Sequence, residues 1–437
     1  MTICRAWLCQ LVFMAVFAGL SALLVSCSRK DDGVRPVEIK FWYAWGGYEG
    51  KFLVSLVGEF NAAHPHIKVQ PSFFNIGDKL LASIAGGVPP DVATVWDFML
   101  VTMGESGCFM PLEDKLNEAG IGRDSYLPNI WDYGLYGAHK WGVPTTLNCT
   151  AIYANNPLVR AAGLDPAKPP RTAAELAEWS KRLTLRDGHG NLKQLGFAPV
   201  TTPIWIWNFG GDIFDPATRR FTLDRPENIR ALSLMAEMYG GIGYDNFRRF
   251  SAGFGKLDSP QNPLFVNKQA LREDGQWLIQ MISKYAPGLD YSVFAFPPAK
   301  EGGQSCTQIG GSFWSIPQGC RHPGEAWEFL LWLIAPPQSA RFCAELRNIP
   351  PMRASIEQPE FAGTRSDPNF EFFVQLVAAG KARPLAATPV GQQFDEALGQ
   401  AMEPVLGGKV SANDFLRNLN HTMNEELDRA TKLIGIE

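Results

Sequence analysis

From residue 37 apolar and polar side chains alternate, with Val37, Ile39, Phe41 and Tyr43 set against Glu38, Lys40 and Trp42. This period of two predicts a strand that runs into the Gly46-Gly47 turn. Helical spacing follows at Phe52, Leu53, Leu56, Val57 and Phe60, and Asn61 to Pro65 breaks it before a short strand at Ile67 to Val69. Leu80, Leu81, Ile84 and Ala85 predict a second helix ended by Gly86-Gly87, and Val92 to Trp96 a compact apolar strand after Pro89-Pro90-Asp91. Strands alternating with helices imply parallel pairing, because a parallel neighbour needs a crossover. This half is therefore expected to be an α/β sheet covered on both faces.

The character changes near Trp141-Gly142-Val143-Pro144, and a second α/β series is expected to begin with a strand at Ala151 to Ala154. Asn156-Pro157 opens a helix that Gly163 stops. Thr172-Ala173-Ala174-Glu175 is a capping box, in which hydroxyl and carboxylate each satisfy a free amide at a helix start, and Leu176, Trp179 and Leu183 form that helix's buried stripe. Further along come a strand at Val293 to Phe296, the segment Ser312 to Ile316, a helix from Glu325 to Leu333 stopped by Pro336-Pro337, and an amphipathic helical C-terminus.

The first residues read as an address. Arg5 precedes an apolar run from Leu11 to Val25, the length of a secretory signal and short for a membrane span, and Leu24-Val25-Ser26-Cys27 has the lipobox pattern. Residues 1–26 are expected to be removed, Cys27 to carry lipid, and residues 27–36 to act as a tether. What remains is too long for one core, and two lobes are the default. The formal charge of −4, with Lys and Arg scattered, argues against nucleic acid or a membrane surface as partner. Cys108, Cys149, Cys306, Cys320 and Cys343 remain, an odd number, of which Cys306 and Cys320 could bridge across an apparent strand.

Catalytic signatures are missing. His64 and His66 lack the helical spacing of a zinc pair, and no nucleophile elbow, phosphate loop or dinucleotide fingerprint occurs. Neither a metal nor a cofactor is expected. The conspicuous residues are aromatic and planar polar side chains at strand ends and beside glycines: Tyr43 and Trp45, Trp96 and Asp97, Trp205 and Trp207, Trp277, and Phe313 and Trp314 after Gly310-Gly311. A sugar offers C–H faces for stacking and a rim of hydroxyls for planar polar groups, so such a set suits a carbohydrate. In open α/β sheets ligands bind beyond the carboxyl ends of strands, where the first four fall. Each Trp has core packing as its rival role, and Asp97 has helix capping ahead of Phe98 to Glu105.

Taken in order, several segments carry a resemblance. They are Phe60-Asn61-Ala62-Ala63-His64-Pro65-His66-Ile67-Lys68-Val69, Ala85-Gly86-Gly87-Val88-Pro89-Pro90-Asp91-Val92, Trp141-Gly142-Val143-Pro144, Ala161-Ala162-Gly163-Leu164-Asp165-Pro166, Gly210-Gly211-Asp212, Gly275-Gln276-Trp277, and Gly310-Gly311 with Ala326-Trp327-Glu328-Phe329. With them the chain resembles the extracellular solute-binding proteins of ABC importers, the family that includes maltose-binding proteins. The resemblance implies the type II periplasmic-binding-protein fold, two hinge-linked α/β lobes, each a mostly parallel sheet flanked by helices. The lobe borders it implies are 37–147 and 303–345 for the first lobe, 148–302 and 346–437 for the second. Position by position it implies ligand contacts at Trp45, Trp96, Asp97, Trp277 and the Gly310-Gly311 turn, and with the residues read above the expected ligand-binding set is Tyr43, Trp45, Trp96, Asp97, Asn148, Trp205, Trp277, Gly311 and Phe313. It further implies a monomeric, lipid-anchored receptor facing the periplasm or cell exterior that delivers a sugar to ABC permease subunits without catalysing a reaction. Ala44-Trp45-Gly46-Gly47-Tyr48-Glu49-Gly50 is similar to a turn of glycerol-phosphate binders in the same superfamily, which keeps that ligand class open. Three rivals stand beside the sugar reading. An Arg- or Lys-rich lining would point to a phosphate ligand and an Asp- and Glu-rich one to a polyamine, while facing carboxylates would suit a surface glycoside hydrolase.

Overall fold

The computed structural model describes residues 35–74, 77–137, 139–254 and 259–434, so the expected signal segment and Cys27 lie outside the described residues. The chain begins as its pattern predicts, with β1 (Val37–Tyr43), α1 (Gly47–Ala63), β2 (Ile67–Phe73), α2 (Asp78–Ala85), β3 (Val92–Trp96) and α3 (Asp97–Glu105). β1 lies between β2 and β3, parallel to both, in register from Val37 opposite Ile67 to Tyr43 opposite Phe73. β2 runs four residues beyond its predicted end, because pairing with all of β1 satisfies backbone groups that the weak pattern after Val69 does not advertise.

The expected break at Trp141 to Pro144 does not occur. Val143 to Asn155 form one strand, β4, whose 13 residues can span roughly 43 Å. Its first part pairs with β7 (Thr307–Ser315), from Val143 opposite Trp314 to Cys149 opposite Ile309. Its second part pairs with β5 (Leu271–Gly275) and β6 (Tyr291–Phe294). β7 likewise joins β3 at one end and β8 (Ala382–Pro384) at the other. Two strands thus pass from one half of the molecule to the other, and the expected border at 147/148 falls inside β4. The fold is α/β as expected, with the sheet more mixed than mostly parallel, since β4 and β7 run against most of their neighbours.

Helices follow between these strands: α4 (Asn156–Ala161), α5 (Ala173–Leu183), α6 (Thr202–Asn208), α7 (Pro226–Ile242), α8 (Trp277–Tyr285), α9 (Pro323–Ile334), α10 (Pro336–Leu346), α11 (Gly391–Leu406) and α12 (Ala412–Ile434). The helix α9 ends at Ala335 as the pattern indicates, but Pro336 opens α10 instead of starting a loop. Proline's fixed φ and missing N–H suit the first turn of a helix as well as they end the previous one. Phe41, Phe60, Trp314 and Phe329 centre a core in the first half. Ile152, Trp205, Leu232, Phe394 and Leu416 belong to a core in the second. A third cluster, from Val95 and Met99 through Leu147 and Tyr153 to Phe370 and Phe373, follows the crossing strands and joins the halves.

The capping box at α5 forms in part. Thr172 Oγ1 accepts from the Glu175 amide at 3.1 Å, while the Glu175 carboxylate turns back to the Arg171 amide at 2.7 Å. Replacing Thr172 with Ala is expected to cost about 1 kcal/mol, read as a lower urea midpoint. The five remaining cysteines are free thiols, so the 306–320 bridge is not formed: the Cys306 amide is held by Asn208, and the Cys320 thiol points at Asp91 Oδ1, 3.3 Å away.

Candidate ligand-binding site

Asp97 is the first residue of α3, directly beyond the carboxyl end of β3. Its rival role as a helix cap is not realised, because its carboxylate reaches only the adjacent Phe98 amide, at 2.9 Å, and caps no deeper N–H. The other carboxylate oxygen accepts the Tyr133 hydroxyl at 2.6 Å, and the Gly311 amide also donates to the group. Burial raises the Asp97 carboxyl to about 6; the Tyr133 and Phe98 hydrogen bonds hold it down in part, and the nearby Asp395 carboxylate pushes it further up. Tyr133 is itself wedged against Phe313, with ring centroids 4.8 Å apart. Gly134 lets the chain turn there with φ of 72°, where a Cβ would lie 2.7 Å from Leu100 and 2.9 Å from Phe313.

These residues open on a cavity between the halves. Asp97, Phe98, Val101, Tyr133 and Gly134 line it from the first half, Gln308 from β7, and Leu385, Thr388, Phe394 and Asp395 from the segment after β8 and from α11. Two buried polar atoms, Gln308 Oε1 and Thr388 Oγ1, have no protein partner. An unpaired buried polar atom is costly, so both are poised for something that enters. At about 100 Å³ the cavity is smaller than typical ligand pockets, which makes it a subsite within a larger groove.

The other expected site residues divide by burial. Tyr43, Trp45, Trp205 and Phe313 are core side chains: Trp45 packs edge-on to Phe342 and Trp96, Trp205 sits inside α6 against Phe197, and Phe313 supports Tyr133. Trp96 and Trp277 stay partly exposed over the joining cluster. Trp277 folds back over Gly275, where an added Cβ would lie 2.1 Å from its ring. Asn148 stands opposite Gly310, whose missing side chain leaves space for its amide. At Gly311 a Cβ would come within 2.3 Å of the Thr146 carbonyl, so only glycine keeps β7 close to β4 there.

Several residues escaped the sequence reading. Tyr133, Gln308, Thr388 and Asp395 meet Asp97 only in the folded chain and carry no local motif. Arg383, paired in the sheet beside Gln308, donates to both oxygens of Asp212 at 3.2 and 3.3 Å and lies 4.9 Å over the Trp207 ring. Tyr48 at the start of α1 donates to Gln280 on α8, and Arg219 reaches to 5.9 Å from the centre of the Tyr136 ring, so contacts also bridge the groove's edges. Among the described residues no three His, Cys, Asp or Glu side chains are grouped to hold a metal, and no helix is long and apolar enough to cross a membrane.

Comparison with known proteins places this architecture. The chain is 26% identical over 363 residues to the sn-glycerol-3-phosphate-binding periplasmic protein UgpB of Escherichia coli K12, covering 77% of this chain and 79% of that protein. The structure of CpMnBP1 with mannotriose bound superimposes with a TM-score of 0.77 at 25% identity, over 88% of this chain and 99% of that one. The sugar-binding protein MalE from Xanthomonas citri shares the fold with a TM-score of 0.76 at 19% identity, over 92% of this chain and 100% of that one. The model of the bacterial extracellular solute-binding proteins matches residues 44–340, a span that includes both strands crossing between the halves. This chain belongs to the family of bacterial extracellular solute-binding proteins.

Proposed function

We propose that the protein captures a carbohydrate between its two halves and delivers it to an ABC importer, tethered to a membrane by lipid on Cys27 and acting as a monomer without catalysis. The observation that carries the reading is the cavity at Asp97. A carboxylate fixed by Tyr133, with unpartnered Gln308 Oε1 and Thr388 Oγ1, faces a space bounded by both halves, so a guest that fills it contacts both. Only such a guest favours closure over opening. The lipobox and the apolar leader support the anchor, and labelling with a radioactive fatty acid that survives in wild type and disappears in Cys27→Ala tests it.

The relative named for glycerol 3-phosphate, and a Mycobacterium tuberculosis UgpB solved with glycerophosphocholine, keep a phosphate ligand as the second reading. Arg383 is the observation in its favour, yet Asp212 already neutralises that guanidinium, and no Lys or Arg lines the cavity. The hydrolase rival is disfavoured because the family the chain belongs to is one of solute-binding proteins. A thermal-shift screen of sugars against glycerol phosphates decides, since a ligand of the folded state raises the melting temperature. Stabilisation by glycerol phosphates alone would overturn the carbohydrate reading.

Trp277→Ala is expected to weaken sugar binding by about 2 kcal/mol in calorimetry, the usual effect of removing an aromatic anchor. The ring also packs on the joining cluster, so a lower melting temperature accompanies the change.

A further inference from the structure

The cavity at Asp97 takes more from its guest than it gives. Two carboxylates, Asp97 and Asp395, and the unpartnered oxygen of Gln308 are acceptors, whereas no Lys or Arg is among the lining residues. The Tyr133 hydroxyl, a donor, is already spent on Asp97. Thr388 is 3% exposed and its hydroxyl has no partner, an independent sign that something polar is missing from the space.

A sugar hydroxyl both donates and accepts, and the Thr388 hydroxyl and Gln308 amide can match it, but the two carboxylates of the lining only accept. An ammonium group has three donors and no acceptor. We infer that the guest presents a protonated amino group to Asp97 and Asp395, which on the carbohydrate reading makes the ligand an amino sugar; a polyamine, which an acidic lining also suits, is an outcome of the test. A cation beside the two carboxylates also offsets the repulsion that the exposed Asp395 exerts on the buried Asp97 carboxylate. At about 100 Å³ the cavity suits a ring substituent better than a whole ring, and the rest of the sugar extends into the groove. This inference rests on the carbohydrate reading and narrows it.

The test compares glucosamine, galactosamine and mannosamine, and the glucosamine disaccharide, with glucose, galactose, mannose and cellobiose, by calorimetry on the full chain and on Asp395→Asn. At least one amino sugar is expected to bind tenfold or more tighter than its neutral partner, and the preference to fall below about twofold in Asp395→Asn, whose side chain is exposed enough to leave the fold unchanged. Amino sugars that bind no tighter than their partners, a preference that survives in Asp395→Asn, or putrescine or spermidine, measured alongside, binding tighter than every amino sugar, overturn the inference. In that event neutral sugars that still bind leave the carbohydrate reading standing, whereas a protein that binds no sugar at all loses both.

Discussion

Asp97→Asn is expected to lower ligand affinity tenfold or more, because hydrogen bonds to a charged group contribute on the order of 1.5–3 kcal/mol and the amide removes that charge from the Tyr133 and Gly311 clasp. Calorimetry reads the loss directly, and unchanged affinity would take Asp97 out of the site. The same residue sets a pH dependence with opposite signs for binding and for stability. Burial raises the carboxyl of the folded protein to about 6 from an unfolded value near 3.8. The protonated form is therefore favoured by folding, so the stability linked to this group is present below pH 3.8 and is lost as pH rises through 6. Ligand binding needs the carboxylate as acceptor, so affinity climbs between about pH 5 and 7. In Asp97→Asn both slopes flatten. An affinity profile as steep in the variant as in wild type would show that another group controls it.

Gly311→Ala is the second large effect, here on the fold. A Cβ at 311 would stand 2.3 Å from the Thr146 carbonyl, a backbone atom of the neighbouring crossing strand that has no rotamer to escape by. Overpacking of this kind costs about 1–3 kcal/mol. The strain falls where β7 supplies the amide that holds Asp97. Urea denaturation is expected to show a clear drop in midpoint together with weaker binding. Gly310→Ala is the informative contrast: its Cβ would meet the end of the Asn148 side chain at 2.6 Å, and a side chain can rotate away. Equal losses in the two variants would contradict a backbone clash as the cause.

Local chemistry made much of the first half, and one helix start in the second, readable. The alternation at Val37 to Tyr43, the stripe from Leu53 to Phe60, the apolar block at Val92 to Trp96 and the Thr172 cap each depend on neighbours within a few positions, and each recurs in the structure. The same reasoning did not foresee the burial of Trp205 and Phe313. An aromatic beside glycines looks like a platform for ligand, but both rings are enclosed by side chains from elsewhere in the chain. It also found only the end of β4, at Ala151 to Ala154, whereas pairing with β7 and then with β5 and β6 makes all of Val143 to Asn155 one strand.

By itself, then, the sequence determined the order of strands and helices from β1 to α3, the α/β class and, through the order of its motifs, the family. Periodicity and capping are properties of adjacent residues, so they survive in one dimension. Tertiary structure alone decided that two strands cross between the halves, that Asp97, Tyr133, Gln308, Thr388 and Asp395 converge on one space, and that Arg383 is tied to Asp212. Those groups lie up to about 300 positions apart and exert no influence on one another until the packing of both cores sets the distances between them, where charge and hydrogen bonding act.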